Sequence, residues 1–407
     1  MPAGARLKGA TLKLEVYKKN HNTITLKNGM IRIFKSQIYV SGEITTAEFL
    51  SFSSAYPASI DLYADMKKSI RYSNAKIDEQ HINIKTSKSN ILTWHYTTNS
   101  KGKITMSWIL SELSYSYKSQ QKDDFVILNL PFDILIPKIT EPKESLKRKT
   151  IIKNGSQYEF YKKPNINLSA IKVHSKNKHT IDEILIHLSF YFNININVSM
   201  KSTYENNKIN VFIRTINPAI INYTNFHSEL IYIDIDNNNS FEFFFQNSSW
   251  QSKDNIQKAK LEQAIYTFTR CTYCDNTMQF ILLYSILDSY AGNSRGISPY
   301  KTMATNMHNY YNIDINKIGK ENDSLLQKMQ LYLKRDNGKD ANVTNFCLLR
   351  NYILHFMSKP IIDEYLERSE LVSKLRFAVC IIILHELGFH NLSFKKDWKH
   401  LSILKDS

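Results

Sequence analysis

Trp250-Gln251-Ser252-Lys253-Asp254-Asn255-Ile256-Gln257-Lys258-Ala259-Lys260-Leu261 marks a change in the hydrophobic period of the chain. Upstream the period is mostly two. Residues 11–17, 81–85, 103–108 and 193–198 alternate apolar with polar side chains, and 208–214, 231–236 and 240–245 are rich in β-branched and aromatic residues. Such alternation predicts half-buried antiparallel strands, because successive side chains of a strand face opposite ways. Asn28-Gly29, between 23–27 and 30–35, predicts a tight hairpin. Residues 1–250 therefore predict a β-rich region, a β-sandwich or two packed β subdomains.

Downstream the period is near 3.6. Helices are expected over 253–274 and 276–290, the second apolar on most faces and so a central helix. Ser298-Pro299 supplies an N-cap and a first-turn proline for a shorter helix to about 311. Further helices are expected over 323–335, ended by Asn337-Gly338, over 340–358, stopped by Lys359-Pro360, and over 361–387, closed by Gly388. The fold class is α+β multidomain: a β-rich antiparallel region (1–250) followed by an all-α bundle (251–407).

The 407 residues include 53 Lys and Arg against 37 Asp and Glu, a formal charge of +16, with 43 % hydrophobic residues. That is ample for real cores and excludes disorder as the global state. The longest apolar run, 377–384, is far short of the roughly 20 residues a membrane span needs, and residues 1–10 hold no apolar signal region. No membrane association is expected. Four cysteines cannot staple a chain of this size, so a reducing, cytoplasmic compartment is expected.

From Lys253 onward 21 basic and 16 acidic residues leave +5, so +11 belongs to the β-rich part. Residues 138–178 alone hold 11 basic and 3 acidic residues, among them Lys147, Arg148, Lys149, Lys162 and Lys163, with Tyr158, Phe160 and Tyr161 interleaved. Pro137, Pro142 and Pro164 and the lack of a clear period mark this segment as a linker or long loops dividing two β subdomains. It reads as a solvated charged connection, or as an RNA-binding surface, since clustered cations and stackable rings suit single-stranded nucleic acid.

Phe346-Cys347-Leu348-Leu349-Arg350-Asn351-Tyr352-Ile353-Leu354-His355-Phe356 would be an apolar helix were it not for Arg350, Asn351 and His355. Asn351 and His355 are four apart and share a face. Arg350 lies about 140° round from His355, so the two meet one ligand through the long arginine side chain or from two copies of the helix. A snorkelling arginine and a satisfied core histidine would produce the same pattern.

Arg350-Asn351-x-x-x-His355 on the penultimate long helix of a C-terminal bundle resembles the HEPN ribonuclease motif: arginine, a polar residue, three more, histidine. The order of elements over about 253–392 is similar as well, with the polar stretch between Gly292 and Asp340 departing from it as an insertion. Asp288 falls where HEPN proteins often carry an acidic residue supporting the motif helix, and Tyr352 joins it as a supporting residue. A β-rich region before a HEPN domain further resembles the ApeA-type abortive-infection proteins of bacterial antiphage defence. The resemblance implies a metal-independent endoribonuclease without cofactor, a triggered toxin acting on RNA as a homodimer or higher homo-oligomer through its helical domain. It implies attack of a 2′-hydroxyl on the adjacent phosphorus, with His355 moving protons near neutral pH, Arg350 holding the phosphorane charge and Asn351 orienting either. The β-rich region would sense an unknown trigger. The rival class is a non-catalytic RNA- or ligand-binding module with a helical dimerisation domain.

Other patterns are weaker. Cys271-x-x-Cys274 has no second CxxC or HxxxH beside it to complete a zinc site. His385-Glu386-x-x-x-His390 is one residue too long for the HExxH face, and Gly388 interrupts it. No P-loop or GxGxxG occurs, and 11 glycines leave little room for a phosphate-cradling loop. A nucleotide-hydrolysing engine is not expected.

Overall fold

The structure is a computed structural model that describes residues 6–16, 22–34, 37–55, 59–71, 77–118, 124–128, 130, 135, 148–162, 168–174, 180–196, 198–215, 229–236, 238, 240–292, 299–314, 317–318, 350, 353, 366 and 370–404. It is an α+β protein of two compact units, Met1–Ile181 with Ile196–Asn222, and Asp182–Asn195 with Tyr223–Ser407. The helical unit thus begins before residue 250 and takes in a helix from within the β-rich part of the sequence.

The first unit is built on β1 (Arg6–Val16), β2 (Asn22–Phe34), β3 (Gln37–Ile44), β4 (Ser59–Arg71), β5 (Ile77–Thr98), β6 (Ile104–Leu110) and β7 (Glu112–Lys118). It continues through β8 (Asp124–Leu128), β9 (Arg148–Lys153), β10 (Ser156–Lys162), β11 (Ser169–His174), β12 (Val198–Glu205) and β13 (Lys208–Arg214). All 13 strands join one antiparallel sheet, in which β4-β1-β2-β3-β6-β5 returns to β4 and β7-β13-β12-β8-β11-β10-β9 runs on from β5. The described strands before and after residues 138–178 therefore share one sheet. Strands from either side of residues 138–178 pair directly, β13 with β7 and β12 with β8, which joins the two sides.

Alternation along β3 and β6 buries Ile38, Val40, Met106, Trp108 and Leu110 on one face. Helix α1 (Thr46–Ala55) adds Phe52, edge-on to Trp94 and Trp108 at 5.4 and 5.5 Å. Burying side chains of this size stabilises by about 1.5–3 kcal/mol each.

Two local expectations are corrected here. Asn28-Gly29 makes no hairpin: it lies inside β2, where Asn28 takes φ 52° and the register against β3 breaks between Lys27 and Met30. One left-handed residue gives a bulge, whereas the type I′ hairpin turn that Asn-Gly favours needs two in succession. Asn154-Gly155 has both, at φ 48° and 76°, and turns β9 into β10. The basic segment 138–178 accordingly contains β9, β10 and β11, the last three strands of the sheet. Its alternation is hidden because Tyr158, Glu159 and Phe160 are all buried.

The second unit opens with α2 (Thr180–Phe192). The alternating 193–198 is not a strand throughout. Asn193 takes φ 51° as the residue after α2, with Ile194 N–H donating to Ser189 O at 3.0 Å, so its first residues end a helix and β12 starts only at Val198. Residues 240–245 are likewise helical. Ser240 Oγ accepts from Phe243 N–H at 3.2 Å, and α3 (Phe241–Asn247) buries Phe241, Phe244 and Phe245, a helical spacing that outweighs the strand-like composition.

Helix α4 (Asn255–Cys271) starts with a reciprocal capping box between Asp254 and Gln257. Asp275 caps α5 (Asn276–Ala291), with Met278 N–H donating to its Oδ1 at 2.8 Å. Then come α6 (Pro299–Tyr311) and α7 (Leu371–Glu386). The central helix is α7, buried continuously from Leu375 to Leu384, and not α5, which exposes Ser285, Asp288 and Ser289. The α7 helix packs on α4, α5 and α6. A two-stranded ribbon, β14 (Ile233–Ile235) with β15 (Leu392–Phe394), ties the beginning of this unit to its end. The expected helices over 323–335 and 340–358 lie outside the described residues, apart from Arg350 and Ile353, both helical. Among the described residues no helix is long and apolar enough to cross a membrane.

Candidate functional site

Of the motif residues, Arg350 is described and half-buried; Asn351, Tyr352 and His355 lie outside the described residues. Ile353 is buried, as the apolar side of that helix requires. The guanidinium carbon of Arg350 stands 5.8 Å from the ring centroid of Tyr284, which is itself buried on α5. A ring face attracts a guanidinium and limits its rotation. Asp288, one turn further along α5, is exposed, and its backbone carbonyl accepts from Gly292 N–H at 3.0 Å to close the helix. The α5 side that meets Arg350 through Tyr284 therefore also carries Asp288, four residues on.

Of the basic set, Arg148, Lys149 and Lys162 fall on β9 and β10, while Lys147 and Lys163 lie outside the described residues. Arg148 forms an ion pair with the buried Glu159, which also has His174 Nε2 at 3.9 Å. Part of the local excess is thus balanced inside the strand cluster. Lys149 is half-buried opposite Phe160, and Lys162 is exposed at the end of β10.

Cys271 and Cys274 do not pair, and neither does Cys380. Cys271 donates to Phe268 O at 3.0 Å and accepts from Arg376 Nη1 at 3.2 Å. Burial pushes its thiol up to about 11 against the opposing pull of Arg376. Arg376 is itself buried, its Nε donating to Glu229 Oε1 at 2.5 Å and Nη2 to Thr272 Oγ1 at 3.1 Å. This is a packed ionic core rather than an open reactive centre.

A second polar cluster, which helical spacing conceals, gathers at the end of α7. The helix stops at Glu386. Gly388 takes φ 94°, Phe389 N–H donates to Leu384 O at 2.9 Å, and the chain doubles back until His390 Nδ1 is 3.2 Å from His385 Nδ1. Any larger residue at 388 would also press on Ser249, whose Oγ would lie 2.8 Å from a Cβ. Tyr311 stands edge-on to His385 at 5.6 Å and donates its hydroxyl to Glu386 Oε1 at 3.2 Å; Lys253 Nζ pairs with Glu386 Oε2 at 3.3 Å. Burial, aided by His390, holds His385 down at about 4, with Glu386 pulling the other way. The readable signal was Gly388 between the two histidines: a helix-ending glycine, not a flaw in a helical face.

Comparison with family models, curated proteins and solved structures gives no match. The site must be interpreted from its own chemistry.

Proposed function

We propose that the chain is a metal-independent endoribonuclease of the HEPN type, acting as a triggered antiphage toxin in the bacterial cytoplasm. The observation that carries this reading is Arg350-Asn351-x-x-x-His355 in an otherwise apolar helix, with Arg350 resting on Tyr284 of α5 one turn from Asp288. In this reading the substrate 2′-hydroxyl gives up its proton as its oxygen attacks the adjacent phosphorus. The bond to the 5′-oxygen breaks as that oxygen takes a proton. A 2′,3′-cyclic phosphate and a 5′-hydroxyl remain. His355 moves protons, since imidazole is the side chain suited to both roles near neutral pH. Arg350 offers planar paired donors to the charge that builds on the phosphorane. Asn351 orients the imidazole or the phosphate, and Asp288 and Tyr352 support the helix.

Arg350 and His355, about 140° apart on one helix, serve a single phosphate most directly when two copies face each other across a cleft, which supports a homodimer through the helical unit. Lys149 and Lys162 recruit RNA, and the sheet unit senses the trigger. The test is cleavage of labelled RNA in excess chelator by wild type, Arg350→Ala and His355→Ala, each purified free of host nuclease and checked for folding. Wild type cleaves and both variants lose at least about a hundredfold in rate; retained cleavage by a folded His355→Ala protein would sink the reading.

A further inference from the structure

The two histidines at the end of α7 are arranged for something the nuclease reading does not use. Their Nδ1 atoms are 3.2 Å apart, their ring centroids 4.9 Å apart and their planes 76° from parallel. A zinc ion about 2.0–2.1 Å from each of two imidazole nitrogens, at a tetrahedral angle, sets the nitrogens about 3.3 Å apart and the centroids about 5 Å apart. A straight N–H···N bond of the same length would hold the centroids about 5.5 Å apart. The observed centroid distance is shorter than a straight N–H···N bond would give, and the two Nδ1 atoms are close enough together for one ion to reach both.

Glu386, the neighbour of His385 in the chain, is taken up by Lys253 and Tyr311 and does not join the pair. The turn that presents His390 is fixed by Gly388, so the pair is preorganised by backbone geometry. His390 is exposed and His385 half-buried, which leaves the shared point open to solvent. Among the described residues no third His, Cys, Asp or Glu joins the pair.

We propose that His385 Nδ1 and His390 Nδ1 together bind a first-row transition-metal ion of the zinc class, with water in its remaining positions. Imidazole ligands favour zinc, copper and nickel over magnesium and calcium, so hard cations do not compete. The proton shared between the two rings and the metal occupy the same atoms, so binding displaces that proton. The site is independent of the nuclease reading, which needs no metal: cleavage in chelator and metal binding are separate measurements, and either can fail alone.

The experiment is isothermal titration of the full chain, stripped with chelator and dialysed, with Zn²⁺ alone. Wild type, His385→Ala, His390→Ala and, as control, the exposed His95→Ala are compared. Wild type and His95→Ala show one saturable site, and each cluster variant weakens it at least about tenfold. His390 is on the surface, so its substitution leaves folding intact and keeps the comparison meaningful. Co²⁺ in place of Zn²⁺ gives visible d–d absorption without thiolate charge transfer. No saturable heat in wild type, unchanged affinity in His390→Ala, or a thiolate band each overturns the proposal.

Discussion

Among the described residues, the sheet unit holds Glu159 against Arg148 and the helical unit Glu229 against Arg376, and the two pairs differ in where the arginine stands. In the sheet, Glu159 is 7 % exposed but Arg148 is 62 % exposed. In the helical unit Glu229 and Arg376 are 12 % and 9 % exposed. The sheet pair keeps its guanidinium in water, where ion pairing is screened and nearly balanced by hydration. The helical pair has given up that hydration, and Cys271, Thr272 and the Phe268 ring at 4.8 Å replace the water around Arg376. The densest run of positive charge in the sequence is therefore not where charge matters most to the structure. The helical unit has fewer excess charges and fixes them more firmly, in the buried Arg376 pair and in Arg350 against Tyr284.

The largest effect that would break this contrast is on stability. Glu229→Ala leaves Arg376 buried without its carboxylate and is expected to destabilise by about 3–5 kcal/mol, read from urea denaturation followed by circular dichroism. A loss below about 1 kcal/mol would place this pair in the same class as a surface one. Arg148→Ala leaves the buried Glu159 with only His174 at 3.9 Å, and is expected to cost about 1–3 kcal/mol in the same assay, less than Glu229→Ala because Arg148 itself stays hydrated.

The next effect is on binding. Lys162→Gln is expected to lower the slope of log affinity for single-stranded RNA against log salt by about 1, with the cleavage rate at saturation unchanged. An unchanged slope would make the β9–β11 edge a solvated face and move RNA recruitment elsewhere. The smallest effect is chemical. Because the thiolate is the nucleophile and burial raises the Cys271 thiol to about 11 and the Cys380 thiol well above its usual range, alkylation of native protein at pH 8 should, among the described cysteines, modify Cys274 before Cys271 and Cys380. Cys271 should gain reactivity only as the pH climbs toward 11. Peptide mass mapping reads the order.

How far these features could be read from sequence follows from the same contrast. The α+β class, β6, β13, α4, α5 and the Pro299 start of α6 were legible because period, caps and turn residues agree there with the tertiary structure. Asn28-Gly29 and Asn154-Gly155 are the same dipeptide with different outcomes, since the flanking strands and not the pair decide between bulge and hairpin. Phe241-Glu242-Phe243-Phe244-Phe245 fits both periods, and only the Ser240 cap and the burial of three phenylalanines select the helix. Within the candidate sites, Arg350 was visible as an arginine interrupting an apolar run. Its ring partner Tyr284 was not, because nothing in a linear pattern says which α5 residue faces another helix. The His385–His390 contact was missed for a related reason. The helix end at Gly388 was legible, but the backbone turn beyond it that brings His390 back to His385 was not.

RNA cleavage by the Arg350–His355 helix is tested most directly by sequencing the 5′ ends of cellular RNA after expression of the full chain. Wild type is expected to raise new 5′-hydroxyl ends at recurrent positions, and Arg350→Ala and His355→Ala, expressed to the same level, are expected to leave the RNA as in uninduced cells. The same new ends in His355→Ala cells, or none with wild type once growth has stopped, would contradict it.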